Sequence, residues 1–180
     1  MYLADRSRDG KSVLVTVAGR NGRTVQLVPT AAGNPTEVGG SWVSPTTARI
    51  SPDGRWLAFA SAQSDQLQVY VSPVPPTGEQ SQISASGGEH PQWRGDGREL
   101  FFIAPDGSVM SAPIAPSPEF DFTAPRVLFK TGLTGDLSSQ RFVATADGNR
   151  FLFNMLPEGD RAARTTTLQV VLNWTNGLAR

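Results

Sequence analysis

Few residues in this chain could do chemistry. His90 is its only histidine, so any imidazole base must be His90. A serine nucleophile would need that histidine as partner, yet no Gly-x-Ser-x-Gly elbow is present. The absence of cysteine excludes disulfides, thiolate metal sites and cysteine nucleophiles. No glycine-rich phosphate loop, His-Arg-Asp or Asp-Phe-Gly motif occurs, so phosphotransfer cannot be assigned to these residues. Trp42, Trp56, Trp93 and Trp174 could stack on sugars or bases, but all except Trp42 fall on apolar strand-like runs, where an aromatic wedge in the core is the ordinary use. Binding is thus the chemistry to expect, from Trp42, His90, Gln92 and Arg141, which stand before or at the start of strands. For His90 the competing reading is a polar residue of purely structural use.

These residues are positioned by a repeated phrase. It is clearest in Ser51 to Ala60, SPDGRWLAFA, and returns as SRDGKSVLV at Ser7, RGDGRELFF at Arg94 and TADGNRFLF at Thr145. The pairs Asp9-Gly10, Asp53-Gly54, Asp96-Gly97 and Asp147-Gly148 are each followed by a polar residue and an apolar run. Asp bonds nearby backbone N–H groups and Gly accepts positive φ, so the pair turns one strand back on the next. A ring of aspartate ligands is the functional alternative. One turn per repeat keeps those carboxylates too far apart for it. The aspartates lie 44, 43 and 51 residues apart, a period that suits a four-stranded propeller blade.

Composition agrees with many short strands. The chain has 180 residues, 38% of them hydrophobic, with 18 glycines and 14 prolines. Sixteen basic and sixteen acidic residues cancel, leaving no electrostatic footprint for DNA or RNA. No apolar run reaches the length of a membrane span, and Met1 to Asp5 is no signal peptide. No long 3.6-residue apolar period appears either, so little helix is expected. Neither metal nor cofactor is implied.

Four repeats are read, at about 1–40, 41–86, 87–133 and 134–176, followed by a tail at 177–180, all within one propeller region. Asn21-Gly22 is a hairpin signal. Glu37-Val38, Gln82 to Ser84 and Arg126 to Phe129 are the outer strands, and none follows Leu172. The expected class is all-β: a propeller of four-stranded antiparallel blades. The first repeat begins mid-blade and the last lacks its outer strand. The expectation is therefore part of a larger ring, the C-terminal portion of a longer protein with upstream blades as partners.

SPDGRWLAFA and HPQWRGDGRELFFIAPDGSVMSAPI resemble the WD40-like, or PD40, repeats of TolB-type β-propellers over nearly the whole chain. The succession HPQWRGDGRELFFIAPDG, RVLFKTG and VVLNWTNGLAR is similar to the C-terminal propeller of certain bacterial serine/threonine protein kinases. That resemblance implies a periplasmic or extracytoplasmic sensory module, linked through a membrane span to a kinase. The expected function is non-enzymatic binding of a peptide, a protein or a small envelope ligand at the channel face. Two alternatives remain: the accessory propeller of a prolyl-oligopeptidase-like serine hydrolase, or a TolB-like periplasmic scaffold.

Overall fold

The computed structural model describes residues 2–19, 22–38, 48–131, 142–155 and 167–172, and among them every regular element is a strand. The first sheet runs β1 (Tyr2–Arg6), β2 (Ser12–Gly19), β3 (Gly22–Pro29) and β4 (Thr36–Glu37), side by side in that order. The second holds β5 (Ala48–Ile50), β6 (Trp56–Ser61), β7 (Gln68–Pro73) and β8 (Ser81–Gln82). In the third, β9 (Glu89–Trp93), β10 (Glu99–Ile103), β11 (Ser108–Pro113) and β12 (Arg126–Lys130) follow the same plan. The fourth has three described strands, β13 (Phe142–Ala144), β14 (Arg150–Met155) and β15 (Thr167–Leu172). All pairings are antiparallel. This is the β-propeller plan, with β1, β5, β9 and β13 as successive inner strands.

Each Asp-Gly pair closes a turn between an inner strand and the next. In the second sheet Asp53 Oδ1 accepts from the Ser51 hydroxyl at 2.5 Å and from the Arg55 N–H at 3.1 Å. The Ser51 hydroxyl oxygen in turn accepts the Trp56 N–H at 2.9 Å. Gly54 takes φ +75°, where a side chain would be strained. Asp9 with Ser7 and Lys11, and Asp147 with Thr145 and Asn149, repeat this bonding. In the third sheet Arg94 replaces the hydroxyl residue and pairs with Asp96 at 2.6 Å. The carboxylates therefore serve their own turns.

That bonding has a pH consequence. Asp9 is held below the usual carboxylate range by the Lys11 N–H and the Ser7 hydroxyl. Asp147 is lowered by the Thr145 hydroxyl and then the Asn149 N–H, and Asp106 by the Ser108 N–H. A carboxyl lowered on folding stabilises the fold above its unfolded pKa, near 3.9, and loses that contribution as pH falls through the lower folded value. Thermal midpoints should therefore drop below about pH 4. A double variant carrying Asp9→Asn and Asp147→Asn should show a flatter acid limb. An unchanged slope would assign the acid loss to other groups.

The core lies between sheets and follows the two-residue period of a strand. Along β6, Leu57 and Phe59 pack with Leu14, Val25 and Val38 of the first sheet, whereas Ala58 packs with Leu100, Phe102 and Ala112 of the third. Along β10, Leu100 and Phe102 turn back to the second sheet. Phe101 and Ile103 meet Phe142, Phe151 and Phe153 of the fourth. A middle strand covered on both faces loses polar alternation, which is why ELFFI and WLAFA read as continuous apolar runs.

Candidate functional site

The inner strands end together at one mouth of the channel, where the Asp-Gly turns begin. A cavity of about 320 Å³ opens there. Its lining follows the repeat. Asp5, Arg49 and Gln92 stand four residues before their turn aspartates, and Arg6, Ile50 and Trp93 stand three before. Arg8, Pro52, Gly95 and Ala146 stand immediately before them. Equivalent positions of successive blades thus meet around one opening.

The backbone around this opening is stitched from blade to blade. Asp5 accepts the Arg6 N–H at 2.8 Å and, across the first seam, the Ile50 N–H at 3.0 Å. Arg49 Nη1 donates to the carbonyls of Ala4 at 2.6 Å and Ala48 at 2.8 Å. The Trp93 indole N–H reaches the Arg49 carbonyl at 3.1 Å, and the Gly95 N–H reaches the Ala146 carbonyl at 2.8 Å. Arg8 Nη1 donates to the Gly95 carbonyl at 2.5 Å, joining the first sheet to the third.

Three guanidinium groups therefore share the opening with one carboxylate. Burial raises the Asp5 carboxyl above its ordinary value, against the Arg6 N–H and the charge of Arg49, which lower it. Burial likewise lowers Arg49, and Asp5 opposes that. Gln92 adds an amide Nε2 that is fully enclosed and has no acceptor among the described residues. An enclosed donor without an acceptor is costly, and the three guanidinium groups are what the opening offers to an anion.

Of the candidates read from the sequence, Gln92 lines this cavity. His90 lies on the same strand but is 1% exposed. Its φ is +54°, and His90 and Pro91 together oppose Phe102 in a bulge between the Gln92–Phe101 and Glu89–Ile103 pairs. That bulge turns the imidazole inward, with Nε2 3.9 Å from the Glu89 carboxylate. Trp42, Arg141 and Trp174 lie outside the described residues. Trp56 and Trp93 pack at the seam of the second and third sheets. Sequence reading missed Asp5, Arg6, Arg8 and Arg49. Their fixed offsets of four, three and one residues before the turn aspartates are the signal that would have found them.

No protein-family model and no curated protein matches the chain. Among solved structures it is similar to TolB from Acinetobacter baumannii, with a TM-score of 0.70 and 14% identity over 96% of this chain and 43% of that one. An auxiliary nutrient binding protein from Bacteroides thetaiotaomicron superposes with a TM-score of 0.58 and 17% identity, covering 93% of this chain and 44% of that one. A puromycin-hydrolysing peptidase of Mycobacterium tuberculosis gives 0.62 and 18%, covering 92% and 28%. The chain spans less than half the length of each. At these identities the likeness is one of fold, and the fold is a partial β-propeller of TolB type. A kinase linkage finds no counterpart among these three structures.

Proposed function

We propose that this chain is a non-enzymatic binding propeller whose ligand is a peptide or protein segment met at the turn-side mouth of the channel. The observation that carries the reading is the convergence of Arg6, Arg8 and Arg49 with the enclosed Gln92 amide in one cavity. Guanidinium groups favour a carboxylate, through charge-assisted hydrogen bonds. Trp42, His90 and Arg141 are proposed as a wider ring about the inner strands, with His90 acting from within the wall. In its finer form the reading makes the chain an extracytoplasmic sensory part of a membrane-linked bacterial signalling protein. A TolB-like periplasmic scaffold uses the same surface. The likeness to a peptidase supports a second reading, an accessory propeller beside a hydrolase domain.

The test uses labelled random hexapeptides with free carboxyl ends and fluorescence anisotropy. Arg8→Glu and the near-isosteric Gln92→Glu should each weaken binding about tenfold, the size of one lost charge-assisted bond. Arg8→Glu, at an exposed position, should leave the thermal midpoint near that of the wild type, whereas Gln92→Glu encloses a carboxylate and should lower it, so its binding is measured well below its own midpoint. Wild-type affinity in both variants would remove the axial cavity from the binding surface.

A further inference from the structure

The axial cavity holds an acid of its own. Asp5 is the one carboxylate among the described residues of its lining, beside Arg6 and Arg8 of the first sheet and Arg49 of the second. The third and fourth sheets add no charged side chain to that lining among the described residues. The blade does not require an acid at this place. Four residues before the other turn aspartates stand Arg49, Gln92 and Val143, and their strands pair without one. Asp5 is held by backbone, its Oδ1 accepting the Arg6 N–H at 2.8 Å and its Oδ2 the Ile50 N–H at 3.0 Å. Those two bonds fix a half-buried negative charge at the first seam, inside the opening.

A charge so placed acts on any anion that enters. It repels the newcomer and offsets part of the attraction of the three guanidinium groups. Both effects end when the carboxyl takes up a proton. Burial, the largest influence on Asp5, raises its carboxyl above the ordinary value of about 3.9, so the proton arrives in milder acid than at a free aspartate. Asp9 and Asp147 titrate lower, held by the hydrogen bonds of their own turns. A peptide's terminal carboxyl, at about 3.5, also keeps its charge further into acid, and guanidinium groups keep theirs throughout. In mild acid, Asp5 is thus the charged member of the lining that changes state.

We propose that Asp5 is a built-in counter-ion that makes the axial site bind carboxylate ligands more tightly in mild acid. Ionised, it competes with the ligand for the field of Arg6, Arg8 and Arg49; protonated, it leaves that field to the ligand. Ligand binding and protonation of Asp5 are then linked, each favouring the other. The proposal rests on the reading of the axial cavity as a carboxylate site, so its test separates the two.

The probes are hexapeptides with no ionisable side chain and a neutral fluorophore, either free or amidated at the carboxyl end, in buffers of constant ionic strength. Wild-type protein should bind the free-ended probe about fivefold more tightly at about pH 4.5 than at about pH 7, the effect of one nearby charge removed. The amidated probe should show no such gain. Calorimetry in two buffers of different ionisation enthalpy should record proton uptake when the free-ended probe binds at about pH 5. Asp5→Asn should bind at neutral pH as the wild type does in acid, and should lose both the pH slope and the uptake. An amide oxygen can accept only one of the two N–H groups that Asp5 holds, so this variant is studied well below its own midpoint. Proton uptake by the wild type is the measurement independent of it. Flat wild-type affinity without proton uptake, while Arg8→Glu still weakens the free-ended probe, overturns the counter-ion and leaves the axial site standing. An Asp5→Asn variant that keeps the wild-type slope assigns the titration to another group, such as His90 on the strand of Gln92, and overturns it as well. If neither probe binds at either pH, both readings fall.

Discussion

Phe151→Ala should cost about 3–5 kcal/mol, among the largest single losses available in this fold. Its ring is buried at the seam of the third and fourth sheets. It meets Phe101 edge-on at 5.1 Å and Phe129 at 5.3 Å, and lies against Phe142 at 6.2 Å and Phe153 at 6.4 Å. Truncation removes apolar area and also leaves a hole lined by rings that cannot close on it. Urea unfolding followed by fluorescence measures the loss. Because the apolar clusters among the described residues join each sheet to its neighbours in sequence, the fourth sheet should also come away first, giving a second, earlier transition. Val143→Ala in the same sheet is the control, since Val143 is 42% exposed and its truncation should stay within about 0.5 kcal/mol. A loss of the same small size at Phe151 would mean that this seam contributes little to stability.

The second large effect is Gly87→Ala, expected to destabilise by about 2–4 kcal/mol. Gly87 is buried and takes φ +92°, and an added Cβ would stand 2.6 Å from Pro105 Cγ. It is also tied in place, since its N–H donates to Gln68 Oε1 at 3.0 Å. That same oxygen accepts the Ser84 hydroxyl at 2.5 Å, and the Ser84 hydroxyl oxygen accepts the Val69 N–H at 2.8 Å. A methyl group would push the turn of the third sheet away from the segment that joins it to the second. Gly78→Ala separates the two causes. Gly78 has φ +93° with open space around it, so only backbone strain applies, about 1–2 kcal/mol. Equal midpoints for the two variants would show that the Pro105 contact yields at no cost.

The turns and middle strands were legible because their signals are local. Asp-Gly followed by an apolar run sets turn and strand within ten residues, as in SPDGRWLAFA. The outer strands were less so. Glu37-Val38 and Gln82 to Ser84 read as strands, whereas pairing stops at Glu37 and Gln82. The apolar residues that suggested them are buried nonetheless. Val38 and Ile83 each lie one residue past the strand, with their N–H groups on the carbonyls of Val25 and Val69 at 2.9 and 2.8 Å. One backbone hydrogen bond to the third strand and packing in the seam together fix each of them.

The site was less legible for a different reason. Asp5, Arg49, Gln92 and Val143 share one place in the repeat but differ in type, so no pattern of residue identity marks them. Only counting back from each turn aspartate aligns them. Attention to the start of each inner strand favoured Trp42, His90 and Arg141 instead, and the bulge that encloses His90 depends on how Pro91 fits against β10. A bulge of that kind is decided by the partner strand. The sequence of its own strand does not show it.

Because the blades bring equivalent positions to one opening, frame and specificity are written in separate residues. Asp, Gly and the alternating apolar residues hold the blade; the residues four before the aspartate, Asp5, Arg49, Gln92 and Val143, join the ladder by their backbones yet stand outside the apolar clusters between sheets. Copying one such unit in tandem would hand the chain a finished frame and one unassigned letter at the opening. The chemistry of the opening can therefore drift by spelling alone, one blade at a time, without any strand having to be rebuilt.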